Sequence, residues 1–185
     1  KLFPGTLTEK LSFLSRNQTW LPLFTLVTGS LAGLLDDYFD VRGGGDHLAG
    51  GLSLKKRLAL VAFTGLVGGY WFFTKLGVTG ITIPFIGTAE IGWLIIPFFI
   101  IVMLLIYSGG VIDGLDGLAG GVFASIFAAY GGIAFFQNQI DLAVFCGVLA
   151  GGILAFLWFN IPPARFYMSE TGTMGLTMTL AVVAF

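Results

Sequence analysis

The chain has 185 residues, of which 56% are hydrophobic and 10% charged, with 28 Gly and 19 Phe; ordinary soluble domains carry about 25% charged residues. Mean hydropathy is +0.94, and the apolar residues fall into blocks long enough for a bilayer core, which takes about 17–25 residues per helix. A soluble globular domain and a disordered chain are both excluded, and the composition is that of an all-α, multi-pass integral membrane protein. A formal net charge of −1 leaves no basic field to hold nucleic acid. The single cysteine, Cys146, permits no intramolecular disulfide.

Residues 1–19 mix charged with apolar side chains and read as a loop or an interfacial stretch. The chain opens on Lys1 rather than Met and ends at Phe185 within an apolar run, so it is expected to be an internal piece of a longer protein. The first crossing is expected over about 20–35, stopping at Asp36-Asp37. A polar, glycine-rich loop follows and closes on Lys55-Lys56-Arg57, and a second crossing runs over about 58–73. Alternating Ile81, Ile83 and Phe85 around Pro84 predict a short extracytoplasmic β-hairpin. Further crossings are expected over about 93–106, 118–136 and 142–159, and a sixth over 174–185. Leu-Ala-Gly-Gly occurs at 48–51, 118–121 and 149–152. The spacing is unequal, so it is no repeat architecture; the last two copies are read as small residues that let helices pack closely in lipid.

Counting crossings places the loops after the first, third and fifth on one face. That face carries Arg42, Lys55, Lys56, Arg57 and Arg165, whereas the other carries Lys75, with Lys1, Lys10 and Arg16 in the leading segment. The positive-inside rule favours the cytosol for the first set. Seven of ten acids, Asp36, Asp37, Asp40, Asp46, Asp113, Asp116 and Glu170, fall on the same face, and only Glu9, Glu90 and Asp141 on the other.

Carboxylates at the ends of apolar helices are costly to insert, and clustered ones repel unless a cation stands between them. The inference is a divalent-metal site at the membrane surface. Hard oxygen ligands without His or Cys neighbours point to Mg²⁺ or Mn²⁺ rather than zinc. Asp36-Asp37-Tyr38-Phe39-Asp40 is one acidic cluster; its bland alternative is a set of acids ending a helix in water. Asp113-Gly114-Leu115-Asp116-Gly117 is a second, with two acids three apart and glycines that let a ligand approach the backbone. The third element is the Asn160–Gly172 loop, where Pro162-Pro163 stop a helix. Tyr167 is an interfacial aromatic or a stacking platform, and Glu170 just precedes the sixth crossing, where an acid is favourable in any case. Lys55, Lys56 and Arg57 are either positive-inside anchors or cations placed to neutralise phosphate oxygens.

Three motifs carry a resemblance: Asp36-Asp37; Asp113-Gly-Leu-Asp-Gly-Leu-Ala119; and Asn160-x-x-Pro-Ala-x-x-Tyr-Met-x-Glu-Thr-Gly172. In order and topology they resemble the polyprenyl-phosphate N-acetylhexosamine-1-phosphate transferases of the glycosyltransferase 4 family. The likeness is strongest to the bacterial members that join UDP-N-acetylmuramoyl-pentapeptide to undecaprenyl phosphate, with Mg²⁺ and release of UMP, in a cytosolic cleft of the inner membrane. The resemblance implies Asp36 and Asp37 as the essential aspartate pair and Lys55 as a basic residue near the phosphates. It implies Glu170 as the metal ligand, with Asp37 beside it. Asp113, Gly114, Leu115, Asp116 and Asn160 would form the uridine pocket, Tyr167 would stack on uracil, and Arg57 joins the substrate-binding set. Three positions depart from the family: Asp40 stands where a Lys is usual, Gly110 where an Asn is usual, and Glu170 where an Asp is usual. The family's amino-terminal helices and its later His-rich loop fall outside this chain, so the piece alone is expected to be inactive. The fourth and fifth crossings offer faces of the kind through which membrane enzymes form homodimers.

Three other readings stay open. One is a related N-acetylglucosamine-1-phosphate transferase. Another takes Asp36-Asp37-x-x-Asp40 literally, as the acidic signature of a prenyl-diphosphate enzyme that would release pyrophosphate instead of UMP. The third is a cation transporter, which would need its carboxylates near mid-helix.

Overall fold

The computed structural model describes residues 17–42, 51–83, 87–109 and 115–185. In chain order they form α1 (Asn17–Arg42), α2 (Leu54–Lys75), β1 (Gly80–Ile83), β2 (Gly87–Glu90), a 3-10 turn at Gly92–Leu94, α3 (Ile95–Gly109), α4 (Leu118–Phe136), α5 (Ile140–Asn160) and α6 (Glu170–Ala184). Four of these are long and apolar enough to cross a membrane: α1 from Thr19, α2, α4 and α5. The third apolar helix is shorter, Gly92–Ser108. The protein is thus an all-α, multi-pass membrane protein with one small sheet. The hairpin expected around Pro84 is present, antiparallel, with Gly80 opposite Glu90 and Ile83 opposite Gly87.

Helix boundaries differ from the sequence expectation where charged residues end an apolar run. The apolar run ends at Asp36, but α1 continues to Arg42. Its last turn is supported by the Arg42 guanidinium over the Tyr38 ring at 4.7 Å and by a cation near the helix C-terminus. Helix α2 begins at Leu54 instead of 58, and the Ser53 carbonyl accepts the Lys56 and Arg57 N–H groups. Lys55, Lys56 and Arg57 therefore lie in a helical turn, not in a loop. Glu170 is the first residue of α6 instead of preceding it, and α4 spans the expected 118–136.

The most extensive helix pairs, α1 with α6, α2 with α3 and α4 with α5, run antiparallel. A Cβ on Gly29 or Gly33 of α1 would meet the α6 backbone at Met174 or Glu170, and one on Gly65 or Gly69 of α2 would meet α3 at Ile100 or Ile96. Gly120 of α4 lies against Leu157, and Gly131 against Cys146. Helix α6 is the axis of the bundle, buried from Thr173 to Val183. On one side, Leu176, Leu180 and Val183 pack with Phe123, Phe127, Phe145 and Ile153 of α4 and α5. On another, Met174, Met178 and Ala181 pack with Leu21, Val61, Phe72, Phe99 and Met103 of α1, α2 and α3. The close-packing role read into Leu-Ala-Gly-Gly holds at Gly120; at 149–152 Leu149 and Ala150 pack, while Gly151 and Gly152 face open space.

Candidate functional site

The alternation of helices brings the C-terminal ends of α1, α3 and α5 and the N-terminal ends of α2, α4 and α6 to one end of the bundle. There Asp36 is 1% exposed. Its carboxylate accepts the Leu52 N–H at 2.5 Å and pairs with the Arg57 guanidinium at 2.7 Å. The same guanidinium reaches Glu170 Oε1 at 2.7 Å through its other terminal nitrogen. One cation from α2 thus bridges carboxylates from α1 and α6. Gly51, with φ of +76°, lets the loop turn tightly here, and a Cβ on it would stand 3.0 Å from the guanidinium and 3.2 Å from the Asp36 carboxylate.

Asp37, the next residue, faces α6. Oδ1 accepts the Glu170 N–H at 3.2 Å; Oδ2 accepts the Thr171 N–H at 3.0 Å and the Thr171 hydroxyl at 2.5 Å. Together Asp36, Asp37 and Glu170 outnumber the one guanidinium among them, leaving a formally anionic cluster. Adjacent residues on a helix point about 100° apart, which explains why one aspartate serves α2 and the other α6.

A second polar knot lies at the same end, between α4 and α5. Gly117, with φ of +79°, opens α4, and its N–H donates to Asn160 Oδ1 at 3.0 Å. Asn160, buried at the end of α5, donates from Nδ2 to the Phe166 carbonyl at 2.9 Å. Asp116 sits in the turn ahead of α4 and accepts the Ala164 N–H at 3.2 Å. The Phe166 ring packs on Phe156 and Phe159. Buried Met168 anchors the loop two residues further toward α6.

The structure therefore brings Asp36, Asp37, Arg57 and Glu170 together, and separately Asp116 and Asn160. Leu115 and Tyr167 are exposed. Lys55 is exposed on the first turn of α2 and forms no ion pair among the described residues. Asp113 and Gly114, like Gly110 and residues 43–50, lie outside the described residues. Two participants escaped sequence reasoning. Tyr107, near the end of α3, packs on the Met174 cluster close to Arg57; a tyrosine closing an apolar helix on the acid-bearing face was the available signal. Thr171 stands in the third motif, which gives it no role of its own.

Among the described residues no three acid, histidine or cysteine side chains surround one point. The donor set is nonetheless oxygen only, and Asp36 and Glu170 already share one cation. One or two carboxylates completed by water and substrate phosphates is the usual arrangement for Mg²⁺, so these two residues fit such an ion.

The profile of glycosyl transferase family 4 matches residues 19–185. A phospho-N-acetylmuramoyl-pentapeptide-transferase of Listeria innocua is 39% identical over 90% of this chain and 51% of its own length. Proteins of the same name from Latilactobacillus sakei and Bacillus velezensis are 36% and 32% identical, over 91% and 96% of this chain and 52% and 54% of theirs. The chain spans about half the length of these relatives. With the match running across nearly all the helices that build the acidic cluster, the chain belongs to glycosyl transferase family 4.

Proposed function

We propose that this protein transfers phospho-N-acetylmuramoyl-pentapeptide from its UDP-sugar to undecaprenyl phosphate, releasing UMP, at the cytoplasmic face of a bacterial inner membrane and with Mg²⁺ or Mn²⁺. The observation that carries the reading is the gathering of Asp36, Asp37, Arg57 and Glu170 from three helices at one end of the bundle, in a chain whose relatives bear that transferase name.

In the transfer, an oxygen of the lipid phosphate bonds to the sugar-linked phosphorus as the bridging oxygen departs with UMP. A lipid phosphate is largely ionised near neutrality, so a general base adds little, and the residues act by positioning and charge. Asp36 and Glu170 would hold the divalent ion, which when bound supplies charge neutralisation and a template for the diphosphate. Arg57, on giving up a carboxylate, presents its planar fork to phosphate oxygens, and exposed Lys55 on the same helical turn adds charge for the departing UMP. Asn160 and Asp116 hold the loops on which Tyr167 would offer its ring to uracil.

The prenyl-diphosphate alternative needs Asp40 to act with Asp36 and Asp37, whereas Asp40 is exposed and takes no part in the Arg57 bridge that joins Asp36 to Glu170. The deciding experiment incubates the full-length protein with UDP-N-acetylmuramoyl-pentapeptide and undecaprenyl phosphate and identifies the small product. UMP is expected. Pyrophosphate from a prenyl diphosphate would support the alternative, and turnover only with UDP-N-acetylglucosamine would move the assignment to the related transferases.

A further inference from the structure

We infer that Asp37 is a positioning residue: it caps α6 from the neighbouring helix and thereby fixes the Glu170 carboxylate, without itself touching metal or substrate. This deepens the proposed function and rests on it for the consequence in turnover, though not for the cap.

A helix leaves its first N–H groups without internal partners. At α6 the residue in the N-cap position, Ser169, makes no side-chain cap hydrogen bond. The acceptor comes from α1. Asp37 takes the Glu170 and Thr171 N–H groups and the Thr171 hydroxyl. Three donors from the first turn of α6 thus occupy both oxygens of the Asp37 carboxylate. Asp36 instead gives its oxygens to the Leu52 N–H and to the guanidinium that it shares with Glu170.

The approach of the two helices is built for this contact. One turn before Asp37, a Cβ on Gly33 would fall 2.2 Å from the Glu170 carbonyl oxygen and 2.6 Å from Thr171 Cα. Only glycine lets the α1 backbone come so near the start of α6, and only that nearness lets a short aspartate reach two backbone N–H groups. Capping also sets an anionic side chain at the positive end of the helix dipole. Glu170, as the first residue of α6, takes its direction from this junction, and the Arg57 bridge then fixes its far end.

If Asp37 works through the cap, an acceptor supplied within α6 should replace it. Aspartate is a strong N-cap residue, and Ser169 already has extended backbone, with φ of −84° and ψ of −177°. The test compares Asp37→Ala, Asp37→Asn, Thr171→Val and the double variant Asp37→Ala/Ser169→Asp in the full-length protein. Hydrogen exchange of the 170–173 amides and UMP release are measured on each. Asp37→Ala is expected to lose protection in that turn and about a hundredfold in rate, the scale of a 1 Å misplacement. Thr171→Val, with Asp37 intact, should lose part of both. The double variant should regain protection and come within about tenfold of the parent rate. Rates that track protection across the series support the cap. Restored protection with the rate still as low as in Asp37→Ala, or unchanged protection in Asp37→Ala, overturns it. A parent protein that releases no UMP yet shows Asp37-dependent protection supports the cap and removes the transferase reading.

Discussion

Gly33→Ala tests whether the fine placement of α6 matters more to activity than to stability. The added methyl would lie 2.2 Å from the Glu170 carbonyl oxygen, 2.5 Å from its carbon and 2.6 Å from Thr171 Cα. All three are backbone atoms, so no rotamer change relieves the contact, and the helices must separate by about 1 Å to reach ordinary van der Waals distance. Overpacking of this kind costs about 1–3 kcal/mol, and replacing glycine inside a helix returns about 1 kcal/mol. The net loss of stability is therefore about 0–2 kcal/mol, seen as a small fall in the detergent-solubilised melting point. The same 1 Å moves Glu170 against Arg57, and the rate of UMP release should fall about a hundredfold. Gly151→Ala, with nothing within 4 Å of its Cβ, is the control and should leave both measurements near the parent values. A Gly33→Ala protein with parent-like turnover would refute the reasoning.

Three further outcomes follow from the same geometry. Arg57→Ala strands the buried Asp36 carboxylate with the Leu52 N–H and should cost about 2 kcal/mol in thermal unfolding. Arg57→Lys, a point charge in place of a fork, should fall between it and the parent in both stability and rate. Asn160→Ala unmakes the bonds to the Gly117 N–H and the Phe166 carbonyl; steady-state kinetics should show KM for the UDP-sugar raised about tenfold, with a smaller change in kcat. Chelation by EDTA should stop UMP release, with Mg²⁺ or Mn²⁺ restoring it and Zn²⁺ failing to do so, because the ligands are hard oxygens; restoration by Zn²⁺ alone would contradict the assigned site.

Much of the fold was legible because lipid leaves a strong sequence trace. Long apolar runs gave the helices, and the Ile81–Phe85 alternation gave the hairpin. Charge misled at the boundaries: Asp36 and Asp37 end the apolar run, yet their side chains find tertiary partners that let α1 continue for another turn and more. Lys55–Arg57 looked like loop residues, although a helix start tolerates them at the bilayer edge. Within the site, the acids could be named but not allotted. Which of two adjacent aspartates faces Arg57 and which faces α6 depends on the rotation of α1, and that rotation is set by Gly29 and Gly33 against the α6 backbone. Such glycines look like any others in a glycine-rich chain. Tyr107 and Thr171 were missed for the same reason: their parts exist only once α2, α3 and α6 have met.

The most direct test is Glu170→Gln in the full-length protein, assayed for UMP release with and without Mg²⁺. Glutamine keeps the size of the side chain and removes its charge, so the helical circular dichroism should persist while metal-dependent release is lost. Release at the parent rate would show that the α1–α6 acidic junction is not where the transfer occurs.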